Sequence, residues 1–315
     1  MTTPWITVIV PSFGRPDQLH QCLTALLCQV EPPAAIMAVV RPDDQSTRQC
    51  VASFGAAMTE VLVTTHGVLA AMTVGLQATA TEWVAFTDDD ATPPPSWTAA
   101  LREAAAEPSV VGVGGRDVLY DGEQPRTTTL TADVGRITTM GRIVGNHHRG
   151  TGPPRDVMVL KGVNCAYRAD LLGLPTNLHG SGAQVHFEVA VGLNLLVHGR
   201  LRYDPAITVL HRPGARRDDD TRTAPSAQAT ADTAYNATFV MTARSRHHAL
   251  LRGLRTVLVG DRTSPGLLRG LVALMCRDHA LVAKIRPSLR GTFGAIRAIL
   301  GGARVTFAYR ATRSS

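Results

Sequence analysis

Residues 83–92, Trp83-Val84-Ala85-Phe86-Thr87-Asp88-Asp89-Asp90-Ala91-Thr92, set three consecutive acids at the end of a short apolar run. A run of that length, apolar at every position, reads as a strand covered on both faces. Three similar runs precede it, at 6–10, 36–40 and 61–63. The stretches between them, 17–29, 46–54 and 68–78, have helical character. In the first, Leu19, Cys22, Leu23, Leu26 and Leu27 recur at the i, i+3, i+4, i+7 spacing of an amphipathic helix. Strands apolar on both faces and separated by helices predict βαβ units, hence an α/β fold with a mostly parallel sheet flanked by helices. Ligands of such sheets bind beyond the carboxyl ends of the strands. Three segments stand there: Pro11-Ser12-Phe13-Gly14 after the first strand, Asp43-Asp44 after the second, and Asp88-Asp89-Asp90 after the fourth.

Farther on, the pattern predicts a helix over 97–106, a strand over 110–113, and loops with irregular strands lying over the site across 122–148. Gly112-Val113-Gly114-Gly115 reads as a tight turn rather than a dinucleotide loop, because it follows the wrong strand. A helix is expected over 185–198 and closing strands over 200–203 and 207–210, ending at His211. Composition makes 213–231 a linker, and its Asp218-Asp219-Asp220 reads as a solvated loop. Beyond it the chain reads helical. Within 266–285, Leu267, Leu268, Leu271, Leu274, Met275, Leu281, Val282 and Ile285 form one apolar stripe. The expected organisation is a catalytic domain over 1–213, a linker over 214–235 and a basic helical region over 236–315.

The 315 residues suffice for a full core, and 44% hydrophobic with 18% charged residues fits a folded chain. No apolar run is long enough to predict a transmembrane helix, and the N-terminus lacks signal-peptide features, so a cytoplasmic location is expected. The five cysteines show no C-x-x-C spacing, which predicts free thiols. The net charge of +7 is uneven. Residues 244–315 hold thirteen arginines and Lys284 against only Asp261 and Asp278, a surplus of twelve, so the first 243 residues carry −5. Such a tail either packs onto the catalytic domain or meets anionic membrane at its inner face, and nucleic acid ranks last because the tail lacks interleaved aromatics.

Three acids at a strand tip repel one another. Either a cation sits among them or they form a solvated turn. Paired carboxylates are hard oxygen ligands suited to magnesium or manganese. Glu188 is a lone carboxylate among Phe187, Val189, Val191 and Leu193. That setting raises a pKa toward what a general base needs, although an acid at a helix start is also favoured by the helix dipole. His211 is open to two readings, metal ligand or core histidine.

Five segments in order resemble the inverting family 2 glycosyltransferases of GT-A fold: VIVPSFGRPDQLHQCLTAL (8–26), AVVRPDDQS (38–46), THGVLAAMTVGLQATATEWVAFTDDDATP (65–93), LKGVNCAYRADLL (160–172) and HFEVAVGLNLLVHGRLRYDPAITVLH (186–211). The resemblance covers about residues 4–213. It implies a Rossmann-like nucleotide-binding half, to which the helical pattern beyond 235 adds a C-terminal helical appendage. It further implies transfer of a sugar from a nucleotide-diphosphate donor, UDP- or TDP-linked, to a hydroxyl of a lipid-linked glycan, polysaccharide or other large acceptor. Pro11, Ser12, Asp44, Asp88 and Asp89 would line the donor site. Asp88, Asp90 and His211 would hold Mg2+ or Mn2+, Glu188 would be the base, and Gly162 and Asn164 would lie on the acceptor side. Three positions depart from the family pattern, the first being Gln45, where a Gly usually follows Asp44. Phe187 stands where a second acid is frequent, and Met72-Thr73 where an arginine near the diphosphate is common, leaving Arg15, Arg116, Arg142 or Arg168 to replace it. The rival readings are a sugar-phosphate nucleotidyltransferase, whose Gly-rich basic signature PSFGRPD does not supply, and a catalytically degenerate nucleotide-sugar-binding protein.

Overall fold

The computed structural model describes residues 5–214 and 226–311. The first half alternates as expected: β1 (Ile6–Pro11), α1 (Pro16–Leu27), β2 (Ala35–Val40), α2 (Gln45–Ala52), β3 (Thr59–Leu62), α3 (Val68–Ala78) and β4 (Trp83–Thr87). These four strands run parallel in the order β3-β2-β1-β4. Residues of β1 alternate between two cores, Ile9 facing one and Ile6, Val8 and Val10 the other, as the period of a strand covered on both faces requires. α1 begins at Pro16, where a missing N–H costs nothing, and buries Leu19, Cys22, Leu23 and Leu26. α2 is capped by Asp44, whose carboxylate accepts from Thr47 N–H.

The second half adds β5 (Ala91–Thr92), α4 (Trp97–Ala105), β6 (Val110–Asp121), the short strands β7 (Gln124–Pro125), β8 (Arg136–Ile137) and β9 (Ile143–Val144), then β10 (Arg155–Val157), β11 (Asn164–Arg168), β12 (Gly173–Pro175), α5 (Phe187–Leu195) and β13 (Arg200–His211). β11 lies antiparallel between β4 and β6, β13 runs parallel to β6, and β10 closes the edge. The two closing strands expected at the end are one strand, with a register shift between Asp204 and Thr208. α5 is shorter than the 185–198 expected.

Gly112-Val113-Gly114-Gly115 is not a turn. It is the buried interior of β6. A Cβ on Gly115 would lie 1.8 Å from the Ile207 carbonyl oxygen, and one on Gly114 2.8 Å from that of Asn164. These glycines let β6, β11 and β13 approach closely.

The C-terminal region holds α6 (Ala227–Phe239), α7 (Arg246–Leu258), α8 (Leu267–Met275), α9 (His279–Leu300) and β14 (Phe307–Tyr309). The linker expected over 214–235 therefore stops earlier: Ser226 caps α6 through Ala229 N–H, and residues 227–235 are helical. Asp218-Asp219-Asp220 lies outside the described residues. The region is no loose appendage. Phe239, Met241, Ala295 and Ile299 belong to the same apolar cluster as Met72, Leu76 and Phe86. β14 pairs with β12, and Arg310 donates to the Thr81 carbonyl at 2.6 Å. The single stripe expected over 266–285 is interrupted by residues 276–278, and Asp278 caps α9. All five cysteines are free.

Gly115→Ala is expected to destabilise the protein by about 3 kcal/mol, the upper end of overpacking costs. The obstacle is backbone and cannot rotate away. A thermal melt indistinguishable from wild type would show that β6 and β13 are not this close.

Candidate active site

The turn after β4 and the end of β13 meet because β5 pairs with β13, which sets Ala91 opposite His211. Asp90, one residue earlier, is thereby brought beside the imidazole. His211 Nε2 lies 3.3 Å from Asp90 Oδ1, and its Nδ1 lies 3.3 Å from Asp117 Oδ2. Asp88, Asp90 and His211 each offer one ligand atom, all within 4.8 Å of one another. Asp90 and His211 are buried and Asp88 is partly exposed.

The three acids face different ways. Asp90 Oδ2 accepts from Arg15 Nη1 at 3.0 Å and from Gly214 N–H at 2.8 Å. Asp89 turns inward: Oδ2 accepts from the Ser12 hydroxyl at 2.7 Å, and Oδ1 pairs with Arg15 Nη2 at 2.7 Å. Asp89 has no exposed surface, so it braces Ser12 and Arg15 rather than lining the donor site as expected. Arg15 is the one of the four candidate arginines that stands at the acids.

Pro11 is partly exposed at the end of β1. Ser12 is buried, its hydroxyl spent on Asp89 and its N–H donating to the Val39 carbonyl at 3.0 Å. Asp44 is also held by the chain itself. It accepts from Thr47 N–H at 3.2 Å, Ser46 hydroxyl at 3.0 Å and Gly14 N–H at 2.5 Å, tying the loop after β1 to α2. Burial pushes its pKa up, but these hydrogen bonds prevail and hold it below the usual range.

Glu188 sits in the first turn of α5, half-buried. Burial pushes its carboxyl upward, with backbone hydrogen bonds, Gly162 among them, and Lys161 opposing. Gly162 is here for space: a Cβ would lie 3.2 Å from Phe187 Cζ and 3.8 Å from Glu188 Oε1. Asn164, expected on the acceptor side, is instead fully buried. Its Oδ1 accepts from Trp97 Nε1 at 2.8 Å, and its Nδ2 donates to the Ile207 carbonyl at 2.9 Å. It joins α4, β6 and β13 and has no surface to offer a substrate.

Asp90 Oδ1 and His211 Nε2 are buried polar atoms that face each other and have no other partner. Leaving two such atoms face to face is costly unless something bridges them. Two carboxylates and an imidazole form a hard, mixed oxygen and nitrogen set that fits Mg2+ or Mn2+. Without an ion the proton takes that place. Burial pushes the His211 pKa down, but hydrogen bonds to Asp117 and Asp90 outweigh it and lift the value to about 9. Burial likewise opposes ionisation of Asp90, yet His211, Arg15 and Gly214 bring it to about 2. Asp88 is pushed upward by burial and by Asp90.

Two residues behind His211 escaped the sequence reading. Asp117 is fully buried in β6, with its Oδ2 shared between His211 Nδ1 and Lys161 Nζ. It fixes the imidazole with Nε2 toward Asp90, the arrangement of carboxylate-oriented metal ligands. Lys161 carried a usable signal: it is one of two lysines in a chain with thirty arginines.

The family model described as glycosyltransferase like family 2 matches residues 4–213. Solved structures share the fold at low identity. The mannosyltransferase PcManGT from Pyrobaculum calidifontis, in complex with GDP-Man and Mn2+, is 15% identical, with a TM-score of 0.53 over 95% of this chain and 88% of that one. GalNAc-T7 with UDP, GalNAc and Mn2+ is 11% identical, with a TM-score of 0.61 over 96% of this chain and 58% of that one. S. aureus TarS 1–349 is 13% identical, with a TM-score of 0.53 over 95% and 92%. Among curated proteins, none matches. The fold is GT-A-like, as the sequence led us to expect.

Because the folded pKa of His211 stands above its unfolded one, its contacts with Asp90 and Asp117 stabilise the ion-free protein in full below about pH 6.5. That stability is lost as the pH rises toward 9. Urea unfolding in EDTA is expected to show this decline in wild type and a shallower one in His211→Gln. An identical decline in the variant would place the titrating group elsewhere.

Proposed function

Because the chain belongs to the glycosyltransferase like family 2, we propose that it moves a sugar from a nucleotide-diphosphate donor to an acceptor hydroxyl with inversion, dependent on a divalent metal. The observation that carries this reading is the cluster of Asp88, Asp90 and His211 at the carboxyl end of β4, with two buried ligand atoms facing each other and no further partner for either. Two structural neighbours support it, one a complex with GDP-Man and Mn2+ and the other with UDP, GalNAc and Mn2+.

Asp88, Asp90 and His211 would hold Mg2+ or Mn2+, with Asp117 orienting the imidazole. An ion there supplies charge neutralisation for the departing diphosphate without proton transfer. Arg15, a quarter exposed beside Asp90, places a second positive charge at the same end of the sheet. It thus supplies the cation that Met72-Thr73 does not, which favours turnover over a degenerate binding protein. Pro11 and the loop braced by Ser12 and Asp44 shape the donor pocket, for which a UDP- or TDP-sugar is the reading.

Glu188 accepts the proton of the acceptor hydroxyl. The oxygen attacks the anomeric carbon as the bond to the diphosphate breaks, and the nucleoside diphosphate leaves from the opposite face. The raised pKa of Glu188 suits that task, and Gly162 sets no side chain against its carboxylate. A lipid-linked glycan or polysaccharide is the acceptor class we favour, met where the basic residues of 244–315 are drawn to an anionic membrane surface from the cytoplasmic side.

With a donor from which wild type releases nucleotide, Glu188→Gln is expected to bind that nucleotide within about threefold of wild type while transfer falls at least about 100-fold. Transfer at the wild-type rate would mean the base lies elsewhere. Asp117→Asn is expected to weaken Mn2+ binding by about 10- to 100-fold in calorimetry. Unchanged affinity would reduce Asp117 to a packing role.

A further inference from the structure

α8 is built inside out. Its buried residues are the small ones, Gly270 and Ala273, and a Cβ on Gly270 would come within 2.6 Å of Ile285 Cδ1 on α9. Its large apolar residues point away from the protein: Leu267, Leu268, Leu271, Val272, Leu274 and Met275 range from 53% to 77% exposed. The exposed patch continues onto the end of α7. Leu258 and Val259 are 46% and 41% exposed, and Gly266 N–H donates to the Val259 carbonyl at 3.3 Å, holding the two helix ends together. Scattered exposed leucines are ordinary, but a contiguous apolar face on one short helix marks an interaction surface.

The charges around this face point to what it meets. Arg262 and Arg277 are exposed at the two ends of α8, and Arg286 is exposed on α9, next to the Ile285 that packs against Gly270. The acids nearby are already engaged: Asp261 accepts from Arg252, Thr263 and Ser264, and Asp278 caps α9. From residue 279 onward there is no acid at all. A second copy of the chain would bring an equally positive surface against this one, so self-association through the face is opposed by charge. An anionic bilayer satisfies both features, with phosphates for the arginines and the acyl boundary for the leucines. The nine-residue helix is about 14 Å long against a hydrocarbon core of about 30 Å, so it lies in the interface and does not span. No helix among the described residues is long and apolar enough to cross a membrane.

We propose that the exposed face of α8 is a membrane-docking wedge, entering the headgroup boundary of an anionic leaflet with the flanking arginines on lipid phosphates. The proposal rests on the reading that residues 244–315 are drawn to anionic membrane, and it names the element that enters.

The test is vesicle co-sedimentation of the full chain, wild type and Leu268→Ser/Leu271→Ser/Met275→Ser, at low and high salt. Vesicles of phosphatidylcholine with phosphatidylglycerol are compared with phosphatidylcholine alone. Wild type should bind only the anionic vesicles and keep part of that binding at high salt. The triple variant should melt as wild type does, because the replaced side chains are exposed. It should bind at least about tenfold more weakly and lose the remainder at high salt. As a second measure, Leu271→Trp should gain fluorescence at shorter wavelength with anionic vesicles. If the triple variant bound like wild type, the wedge would be overturned while the charge attraction stood. If wild type ignored anionic vesicles, both would fall. A wild-type dimer in solution that the triple variant dissociates would assign the face to a second copy and overturn the proposal.

Discussion

Asp90 and His211 face each other because two residues, Ala91 and Thr92, fold back onto the last strand of the sheet. The parallel half of the sheet joins its mixed half through β11 against β4, and this short pairing adds the contact that brings the acids to His211. The approach also explains the cost elsewhere in the structure. β13 reaches the acids only by running its full length beside β6, and the strands can lie that close only where Gly115 has no side chain. Asn164 then ties the same crossing to α4 and β13 from below.

Three adjacent carboxylates in a largely buried turn would be unstable if all were treated alike, since each desolvated charge costs several kcal/mol. The chain gives each a different environment. Asp89 is drawn inward to Ser12 and Arg15, and burial lifts its pKa to about 7 against the pull of Arg15. Asp90 keeps its charge through Arg15, Gly214 and His211. Asp88 is left with the least compensation and the most exposure of the three. The site is thus preloaded with a demand for positive charge that Arg15 meets only in part. Asp117 and Lys161 hold the imidazole from behind, so the proton on Nε2 and a metal ion would compete for one position.

Much of this was legible in the sequence, because the relevant signals are local. The β-branched runs, the spacing of Leu19 through Leu26, and the helix at 68–78 follow from periodicity alone. The triplet at the tip of β4 is visible because like charges rarely cluster in an apolar setting without cause. What stayed hidden is what only tertiary proximity creates. Asp117 looks like any acid after an arginine until β6 and β13 align. Asn164 reads as a polar residue in a binding motif until Trp97 is seen donating to it. The glycines of 112–115 read as a turn because close approach of a distant strand leaves no local trace. In the C-terminal region, the polar and alanine-rich stretch 227–235 hides a helix whose burial against α9 overrides its composition.

The central claim is that Asp88, Asp90 and His211 form a metal-dependent nucleotide site. The most direct measurement is thermal stability with UDP, TDP, GDP and CDP, each with and without Mn2+, on wild type and Asp90→Ala. One nucleotide is expected to raise the melting temperature only when Mn2+ is present and only when Asp90 is intact. Stabilisation that persists in Asp90→Ala, or needs no metal, would contradict it.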